Sequence, residues 1–227
     1  GVVYSHRSMV LHTFGAMMSD TLGVTERDVI LPVVPMFHAN AWGLAHAGVA
    51  TGATLVMPGP DLSAPALADL IESERVTLAA GVPTIWMGVL PELAGRDVSS
   101  LRAIPCGGSA VPRALSEGYR EQTGLPLLQA WGMTETSPLA AVCNIKSTLD
   151  HLDDDAKADL RTTVGLYHQG IPLPLLIVER VGQQTFDRHA IGTSPTHPLL
   201  ARQAEMTGQI VEHMGNTGRR GTGVRSQ

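Results

Sequence analysis

The strongest constraint on the fold is the alternation of strand-like and helix-like segments through the first three-quarters of the chain. Short apolar or β-branched runs are followed by longer segments with helical spacing, as where VILPVV at 29–34 precedes 37–50. This βαβα order predicts an α/β fold with a mostly parallel sheet covered by helices. Ligands bind such sheets beyond the carboxyl ends of the strands, so residues that follow strands are the first candidates for a site.

The predicted strands and helices can be placed by their periodicity and by glycine and proline at their ends. The segment 37–50 is small and apolar, and we expect it to form a buried helix. Strands are predicted at 29–34, 53–57, 76–80, 101–106 and 125–130, and helices at 8–22, 37–50, 64–74, 83–93 and 112–123.

The chain changes character near residue 166. The first 166 residues hold ten basic and seventeen acidic residues, whereas residues 167–227 hold six arginines and four acidic residues. The second segment loses its periodicity and ends in GNTGRRGTGVRSQ, which offers little apolar area to bury. We therefore interpret 167–227 as an unassigned tail, disordered or frameshifted. The alternative is a basic tail that binds phosphate.

Composition excludes several classes of function. A net charge of −5 gives no basic surface for a nucleic acid. The two cysteines, Cys106 and Cys143, form no CxxC pair, so neither a disulfide framework nor a zinc site is expected and a cytoplasmic location fits best. Apolar runs such as 139–143 are far too short to span a membrane, so no transmembrane segment is expected.

The stretch CGGSAVP, residues 106–112, lies where a predicted strand runs into a helix. Glycines at such a turn let backbone N–H groups approach a planar or anionic ligand closely. The same residues also serve a plain strand-to-helix turn, in which Ser109 would be the N-cap of the helix.

The stretch QAWGMTETSP, residues 129–138, follows the next predicted strand. Thr134 offers a hydroxyl, and Glu135 offers a hard oxygen ligand suited to Mg²⁺. A loop with a solvated glutamate is the alternative, because one carboxylate is not a metal site. One helix separates this turn from CGGSAVP, so the two turns are expected at neighbouring strand ends.

The stretch PMFHANAWGL, residues 35–44, places His38, Asn40 and Trp42 in an apolar segment. It can be interpreted as the start of a buried helix or as a mixed wall for an apolar substrate tail. Neither His38 nor His46 has a partner at metal-ligand spacing, so a metal site is not indicated here.

These motifs occur in the same order in one family. The chain resembles the adenylate-forming, AMP-binding enzymes, and among them the medium- and long-chain fatty-acyl-CoA synthetases. The resemblance covers roughly residues 1–166, and six ordered motifs are far more specific than any one of them. The matching segments are GVVYSHRS (1–8), PMFHANAWGL (35–44), GATLVMPGP (52–60), RVTLAAGVPTIW (75–86), CGGSAVP (106–112) and QAWGMTETSP (129–138).

The resemblance implies a partial N-terminal domain of the adenylate-forming fold, with 1–166 as the central part of its adenylation domain. It implies that a fatty acid of medium or long chain attacks the α-phosphate of ATP in the presence of Mg²⁺. The products are an acyl-adenylate and pyrophosphate, and the thiol of coenzyme A then displaces AMP. The sequence gives no indication of an oligomeric state.

The resemblance also implies roles for individual residues. Thr134 would bind a phosphate, Glu135 would coordinate Mg²⁺ and His38 would lie beside the acyl carboxylate, so these three would be catalytic. Trp42 would gate the acyl tunnel. The nucleotide would be bound by Gly107, Gly108, Ser109, Ala110, Trp131, Gly132, Met133 and Thr134, and the acyl pocket would be bordered by His38, Trp42, Val82, Pro83 and Thr84.

The sequence departs from the family pattern at both ends. The phosphate loop with its lysine would precede Gly1, and the text after Leu166 no longer resembles the family. No lysine follows Lys157, so the catalytic lysine of the C-terminal domain is not found. We therefore expect a fragment that is inactive. The alternative is a non-catalytic remnant that binds at most an acyl chain or an adenylate.

Overall fold

A computed structural model describes residues 2–163 of the 227-residue chain. The predicted segment 167–227 lies outside the described residues. The regular elements of the described residues are helices α1–α7 and strands β1–β6, together with two short 3₁₀ turns at Thr134–Thr136 and Ser147–Leu149 that carry no label below. In chain order these elements are α1 (His6–Met17), β1 (Val29–Pro32), α2 (Ala39–Trp42), α3 (Leu44–Thr51), β2 (Thr54–Leu55), α4 (Ala64–Ser73), β3 (Leu78–Ala80), α5 (Pro83–Glu92), β4 (Pro105–Cys106), α6 (Arg113–Thr123), β5 (Leu128–Gly132), β6 (Leu139–Val142) and α7 (Asp154–Arg161).

The strands form a mostly parallel sheet, as the alternation predicts. The hydrogen-bonded order is β2-β1-β3 and β4-β5-β6. Parallel bridges from Leu78 to Ala103 and from Gly81 to Cys106 connect β3 with β4. All pairs are parallel except β5 with β6, which is antiparallel. The α/β class and its helix-covered parallel sheet are therefore confirmed.

Both faces of the sheet are buried, because successive residues of each central strand enter opposite layers. Ile30 and Leu78 pack with α1 and α3 on one face, whereas Leu31 and Ala79 pack with α4, α5 and α6 on the other. A strand of a parallel sheet that is covered on both sides reads as a continuous apolar run rather than an alternating one. This explains the short apolar runs in the sequence.

The prediction of one buried helix at 37–50 is wrong. Phe37 is 91% exposed, and Ala39–Trp42 forms one short turn in which all four residues have positive φ. Gly43, with φ of 79°, ends this turn and starts α3 in a new direction. Left-handed backbone costs roughly 1–2 kcal/mol per non-glycine residue, so this segment is strained.

The strand after α6 also differs from its predicted bounds. It begins three residues later than expected, at Leu128, and continues through Trp131 to Gly132. Its antiparallel partner β6 was not predicted at all, and the two are joined by the Thr134–Thr136 turn. The acidic stretch at 150–159 runs from a loop into α7, and the Asp153 side chain caps this helix by accepting a hydrogen bond from the N–H of Ala156.

Within residues 2–163, no helix is both long enough and apolar enough to cross a membrane.

Candidate functional site

Three of the segments singled out in the sequence meet at one edge of the sheet. The strands β3, β4 and β5 run parallel and end at Ala80, Cys106 and Gly132. Residues 82–84, 107–110 and 133–135 follow these ends directly, so the topology places them side by side. The predicted proximity of the two turns at 106–112 and 129–138 is borne out.

Gly107 lies between the end of β5 and Trp42. A Cβ atom built on Gly107 would stand 2.7 Å from the carbonyl oxygen of Ala130 and 3.5 Å from Cη2 of Trp42. The adjacent Gly108 has φ of 82°, and a Cβ there would stand 3.2 Å from Cγ1 of Val82. The glycine loop, residues 106–112, therefore lies beside both Trp42 and Val82, which were predicted for the acyl pocket.

The Gln129 side chain forms a hydrogen bond with the end of the glycine loop. This side chain is buried, and its Oε1 accepts a hydrogen bond of 3.2 Å from the N–H of Val111. The alternative role of Ser109 as a helix N-cap is wrong, because Pro112 is the residue that precedes α6. Ser109 and Ala110 are exposed instead, on the open side of the loop.

The hydroxyl groups of the two threonines in the Thr134–Thr136 turn have different surroundings. The hydroxyl of Thr136 accepts a hydrogen bond of 2.9 Å from the N–H of Met133, and it also contacts the carbonyl oxygen of Pro138. Thr136 therefore serves the turn itself. Thr134 and Glu135 are exposed, and within the described chain their side chains make no hydrogen bond or ion pair.

Gly132 allows β5 and β6 to meet at the base of this turn. A Cβ on Gly132 would stand 2.1 Å from the carbonyl oxygen of Pro138 and 3.0 Å from Cα of Leu139, and no rearrangement of a side chain can relieve such a contact. Glycine is required here because there is no room for a side chain, and not because the backbone angles exclude other residues. Trp131 is half-buried and Met133 is exposed, on either side of it.

The structure brings Trp42 into the site but gives His38 no partner there. Trp42 is half-buried against Gly107, whereas His38 is exposed. No hydrogen bond or ion pair in the described part of the chain joins His38 to Thr134 or Glu135. Pro83 is buried at the start of α5, and Thr84 is exposed one residue later.

The residues present fit a magnesium ion that arrives with a nucleotide. Among residues 2–163, no cluster of three or more His, Cys, Asp or Glu side chains could hold a metal by itself. Mg²⁺ is commonly bound by one or two carboxylates together with substrate phosphates and water, so a single exposed Glu135 matches that mode. Gly107 itself offers no room for a side chain, because the carbonyl oxygen of Ala130 and the ring of Trp42 lie against it.

Two residues of the site were missed by sequence reasoning. Tyr4 is half-buried, and its hydroxyl is shielded from solvent without a hydrogen-bond partner in residues 2–163. Burial, and secondarily the charge of Glu135, raise the pKa of Tyr4. Tyr4 lies within GVVYSHRS, but no sequence pattern around it indicates a functional role.

His12 is the second missed residue. Its Nε2 accepts a hydrogen bond of 3.1 Å from the N–H of Leu139. Its ring also lies against Gly43, where a Cβ would stand 2.6 Å from Cε1. Burial, and secondarily the neighbouring His46, lower the pKa of His12 to about 4. A neutral imidazole therefore connects α1 with the segment after Trp42 and with β6.

Comparison with known proteins decides the family. Residues 1–185 match the family described as AMP-binding enzyme. The chain belongs to this family. The family match extends beyond residue 166, where the resemblance seen in the motifs ends.

Relatives of this AMP-binding protein are acyl-CoA ligases. It is 43% identical over 178 residues to the long-chain-fatty-acid–CoA ligase of Thermus thermophilus. The aligned region covers 78% of this chain and 32% of that protein. Identity to the medium-chain-fatty-acid–CoA ligase of Ectopseudomonas oleovorans is also 43%, over 78% of this chain and 33% of that protein. The chain therefore spans about a third of the length of the curated relatives it matches.

A solved structure supports the fold. The long-chain-fatty-acid-CoA ligase of Archaeoglobus fulgidus superposes with a TM-score of 0.58 at 25% identity. The superposition covers 73% of this chain and 33% of that one. The AMP-binding protein thus has part of the fold of the adenylate-forming enzymes.

Proposed function

We propose that this chain binds ATP with Mg²⁺ and a fatty acid of medium or long chain, as the central part, residues 1–166, of the adenylation domain of a fatty-acyl-CoA synthetase. One observation carries the proposal. The glycine loop after β4 lies beside Trp42 and Val82 on one side, and on the other it adjoins the Thr134–Thr136 turn after β5. A nucleotide and an acyl group bound at this edge would therefore be neighbours, as acyl transfer requires.

The nucleotide would lie across the ends of β4 and β5. The backbone of Gly107 and Gly108, with Ser109 and Ala110, would border the adenine and the adenylate, and Trp131 would lie near the ring. Gly132 and Met133 would leave the backbone accessible. The free hydroxyl of Thr134 would donate to a phosphate oxygen. Glu135, which is free of any ion pair in the described chain, would hold the magnesium ion.

The fatty acid would enter between the segment after β1 and the start of α5. Trp42 would border the acyl tunnel where it meets Gly107, and Val82, Pro83 and Thr84 would line its wall. His38 would lie beside the carboxylate that attacks the α-phosphate. Trp42 forms part of a strained left-handed turn, and strain of this kind persists where a conformation is needed for function.

The proposed reaction forms an acyl-adenylate and pyrophosphate, and coenzyme A then takes the acyl group. When bound, magnesium supplies charge neutralisation on the phosphates. The side chains named above align the carboxylate with the α-phosphate, and backbone N–H groups at the strand ends stabilise the developing charge. Cys106 and Cys143 are both buried and the sequence has no CxxC pair, so we propose a reducing compartment such as the cytoplasm.

Binding without turnover is the second candidate. It is favoured by the charge of the site, because in residues 2–163 no cationic side chain bonds to Thr134 or Glu135. The phosphates would then be neutralised by the metal ion and backbone dipoles alone. A missing electrostatic contact of this kind typically costs about 3 kcal/mol of transition-state stabilisation, which corresponds to a factor of 10²–10³ in rate.

Hydroxylamine trapping separates the two candidates. Purified chain is incubated with ATP, Mg²⁺, dodecanoic acid and hydroxylamine, and the acyl hydroxamate is measured against a Glu135→Ala control. Hydroxamate above the control demonstrates adenylation. Saturable binding of ATP and dodecanoate without hydroxamate supports the binding role. Absence of both refutes the proposed function.

A further inference from the structure

Gln129 connects both ends of the glycine loop to β5. Its backbone pairs with Cys106, the residue at which the chain enters the loop. Its side chain is buried, and Oε1 accepts the 3.2 Å hydrogen bond from the N–H of Val111, where the chain leaves the loop. One residue therefore fixes the entry and the exit of the loop relative to the strand that leads into the Thr134–Thr136 turn.

The middle of the glycine loop is open to solvent, whereas its two ends are buried. Gly107 is buried, and its N–H donates a hydrogen bond of 3.3 Å to the carbonyl oxygen of Gly81. Val111 is buried as well. Residues 108–110 are exposed between them, and within residues 2–163 none of their N–H groups makes a hydrogen bond. Successive free N–H groups in a turn can bind acceptor atoms of a ligand.

The bond to Gln129 determines where these N–H groups lie. A buried backbone N–H without an acceptor is unfavourable, so without Oε1 the Val111 N–H would have to move toward water. Only three residues separate Gly107 from Val111, so a displacement of Val111 would move residues 108–110 with it. The conformation of the loop therefore depends on one side chain of the neighbouring strand.

We propose that Gln129 is a positioning residue for the nucleotide, which holds the N–H groups of residues 108–110 where they bind the AMP part of ATP. This inference rests on the proposed function. Gln129 acts through Val111, because its own side chain is buried beneath the loop end that it bonds. The contribution of Mg²⁺ at Glu135 should not depend on Gln129, because that residue belongs to the turn after β5.

The test uses two matched substitutions, Gln129→Met and Thr77→Val, each of which removes a side-chain oxygen that accepts a hydrogen bond from a backbone N–H. Thr77 accepts its bond, of 3.0 Å, from the N–H of Val29 at the opposite edge of the sheet. Titration calorimetry measures the affinity of wild type and both variants for AMP, and for ATP with and without Mg²⁺. Thermal unfolding without ligand is recorded for all three.

Both variants should have a lower melting temperature than wild type, but only Gln129→Met should lose affinity. It should bind AMP and ATP about tenfold more weakly, while the factor by which Mg²⁺ strengthens ATP binding stays as in wild type. Thr77→Val should keep all affinities of wild type. A purely structural role of Gln129 would lower the melting temperature without this selective loss.

Amide hydrogen exchange of the wild-type chain, resolved by residue with NMR, needs no variant and applies even if Gln129→Met does not fold. The Val111 amide should be protected without ligand, and the amides of residues 108–110 should exchange rapidly. AMP should slow the exchange of residues 108–110.

Three results would overturn the inference. They are an AMP affinity of Gln129→Met within twofold of wild type, an equal loss of affinity in Thr77→Val, and exchange at residues 108–110 that AMP does not slow. Each of these leaves the proposed function standing, because the wild-type chain still binds ATP. Failure of the wild-type chain to bind ATP would instead refute the proposed function, and the inference with it.

Discussion

The Nε2 atom of His12 accepts a hydrogen bond from the N–H of Leu139, while the imidazole ring packs against Gly43. One side chain on α1 thereby connects two parts of the site that are 96 residues apart in sequence. Leu139 begins β6 directly after the Thr134–Thr136 turn, and Gly43 directly follows Trp42. The imidazole can accept this bond only when Nε2 carries no proton, so its protonation state affects both segments.

The stability of the fold should fall as the pH is lowered from about 6.5 to about 4 because of His12. Its pKa in the folded chain is about 4, below its ordinary value of 6.5, so the unfolded chain binds the proton more readily. The stabilisation is complete above the unfolded pKa and is lost as the pH falls through the folded one. It amounts to about 3 kcal/mol and can be measured by urea unfolding at a series of pH values.

Two substitutions test the assignment to His12. His12→Gln offers an amide oxygen to Leu139 but does not titrate, so its unfolding free energy should vary less with pH in this window. His151→Gln, at an exposed position, should keep the wild-type pH dependence. A wild-type pH dependence in His12→Gln would mean that another group is responsible.

Replacement of Asp28 by asparagine should destabilise the fold by about 2–3 kcal/mol, because it removes the charged acceptor that Arg102 and Thr77 bind, while Arg102 itself stays 38% exposed. The Asp28 carboxylate is 3% exposed and accepts hydrogen bonds of 2.6 and 2.7 Å from Arg102 and of 2.6 Å from Thr77. Burial alone would raise its pKa, but these bonds and one from the N–H of Thr25 lower the pKa to about 2.

Chemical denaturation of Asp28→Asn and of the exposed control Asp61→Asn measures this effect. The stabilisation from Asp28 should persist above its unfolded pKa of 3.8 and disappear as the pH falls toward 2. Equal midpoints for the two variants at pH 7 would contradict a stabilising role for the buried pair.

Gly132→Ala should destabilise the chain by at least about 2 kcal/mol, because the new methyl group would overlap the backbone at Pro138. Gly88→Ala is a control that should raise the stability of the chain instead of lowering it. It lies within α5, where a Cβ would be 3.4 Å from that of Ala64, and alanine is favoured over glycine in helices by roughly 1 kcal/mol. Thermal unfolding of both variants is the measurement, and a tolerated alanine at 132 would show that β5 and β6 meet differently.

The two threonines of the turn should respond differently to replacement by valine. Thr136→Val removes one of the two acceptors of the Met133 N–H, the other being the carbonyl oxygen of Pro138, and should cost about 1 kcal/mol of stability. Thr134→Val removes a free hydroxyl and should leave stability within about 0.5 kcal/mol of wild type while weakening ATP binding. Melting temperatures and ATP titrations of the pair check this, and identical behaviour of the two variants would count against the division of roles.

Sequence patterns located the parallel core because burial on both faces leaves a local signal. Ile30 and Leu31 enter opposite layers, so their strand appears as an apolar run that can be recognised without the fold. The segment 37–50 shows where this fails. Its composition favours a helix, but the positive φ angles of Ala39–Trp42 depend on packing of Trp42 and Gly43 against distant elements.

The candidate site was predictable only where a motif contained it. Gly107, Thr134 and Glu135 follow predicted strands, so topology placed them together. The bond from Leu139 to His12 joins residues 127 positions apart in sequence, and no local pattern encodes such a contact. β6 was missed because its partner strand and the turn between them had to be known first.

The most direct test of the central claim is calorimetric titration of the chain with ATP, with and without Mg²⁺. It is carried out on wild type, on Glu135→Ala, and on Glu26→Ala, which alters an exposed glutamate before β1 at the opposite edge of the sheet. We predict saturable binding by wild type and Glu26→Ala that Mg²⁺ strengthens. Glu135→Ala should bind about tenfold more weakly in Mg²⁺ and as well as wild type in EDTA. An affinity of Glu135→Ala equal to that of wild type in Mg²⁺, or no binding by wild type, would contradict a nucleotide and metal site at the ends of β4 and β5.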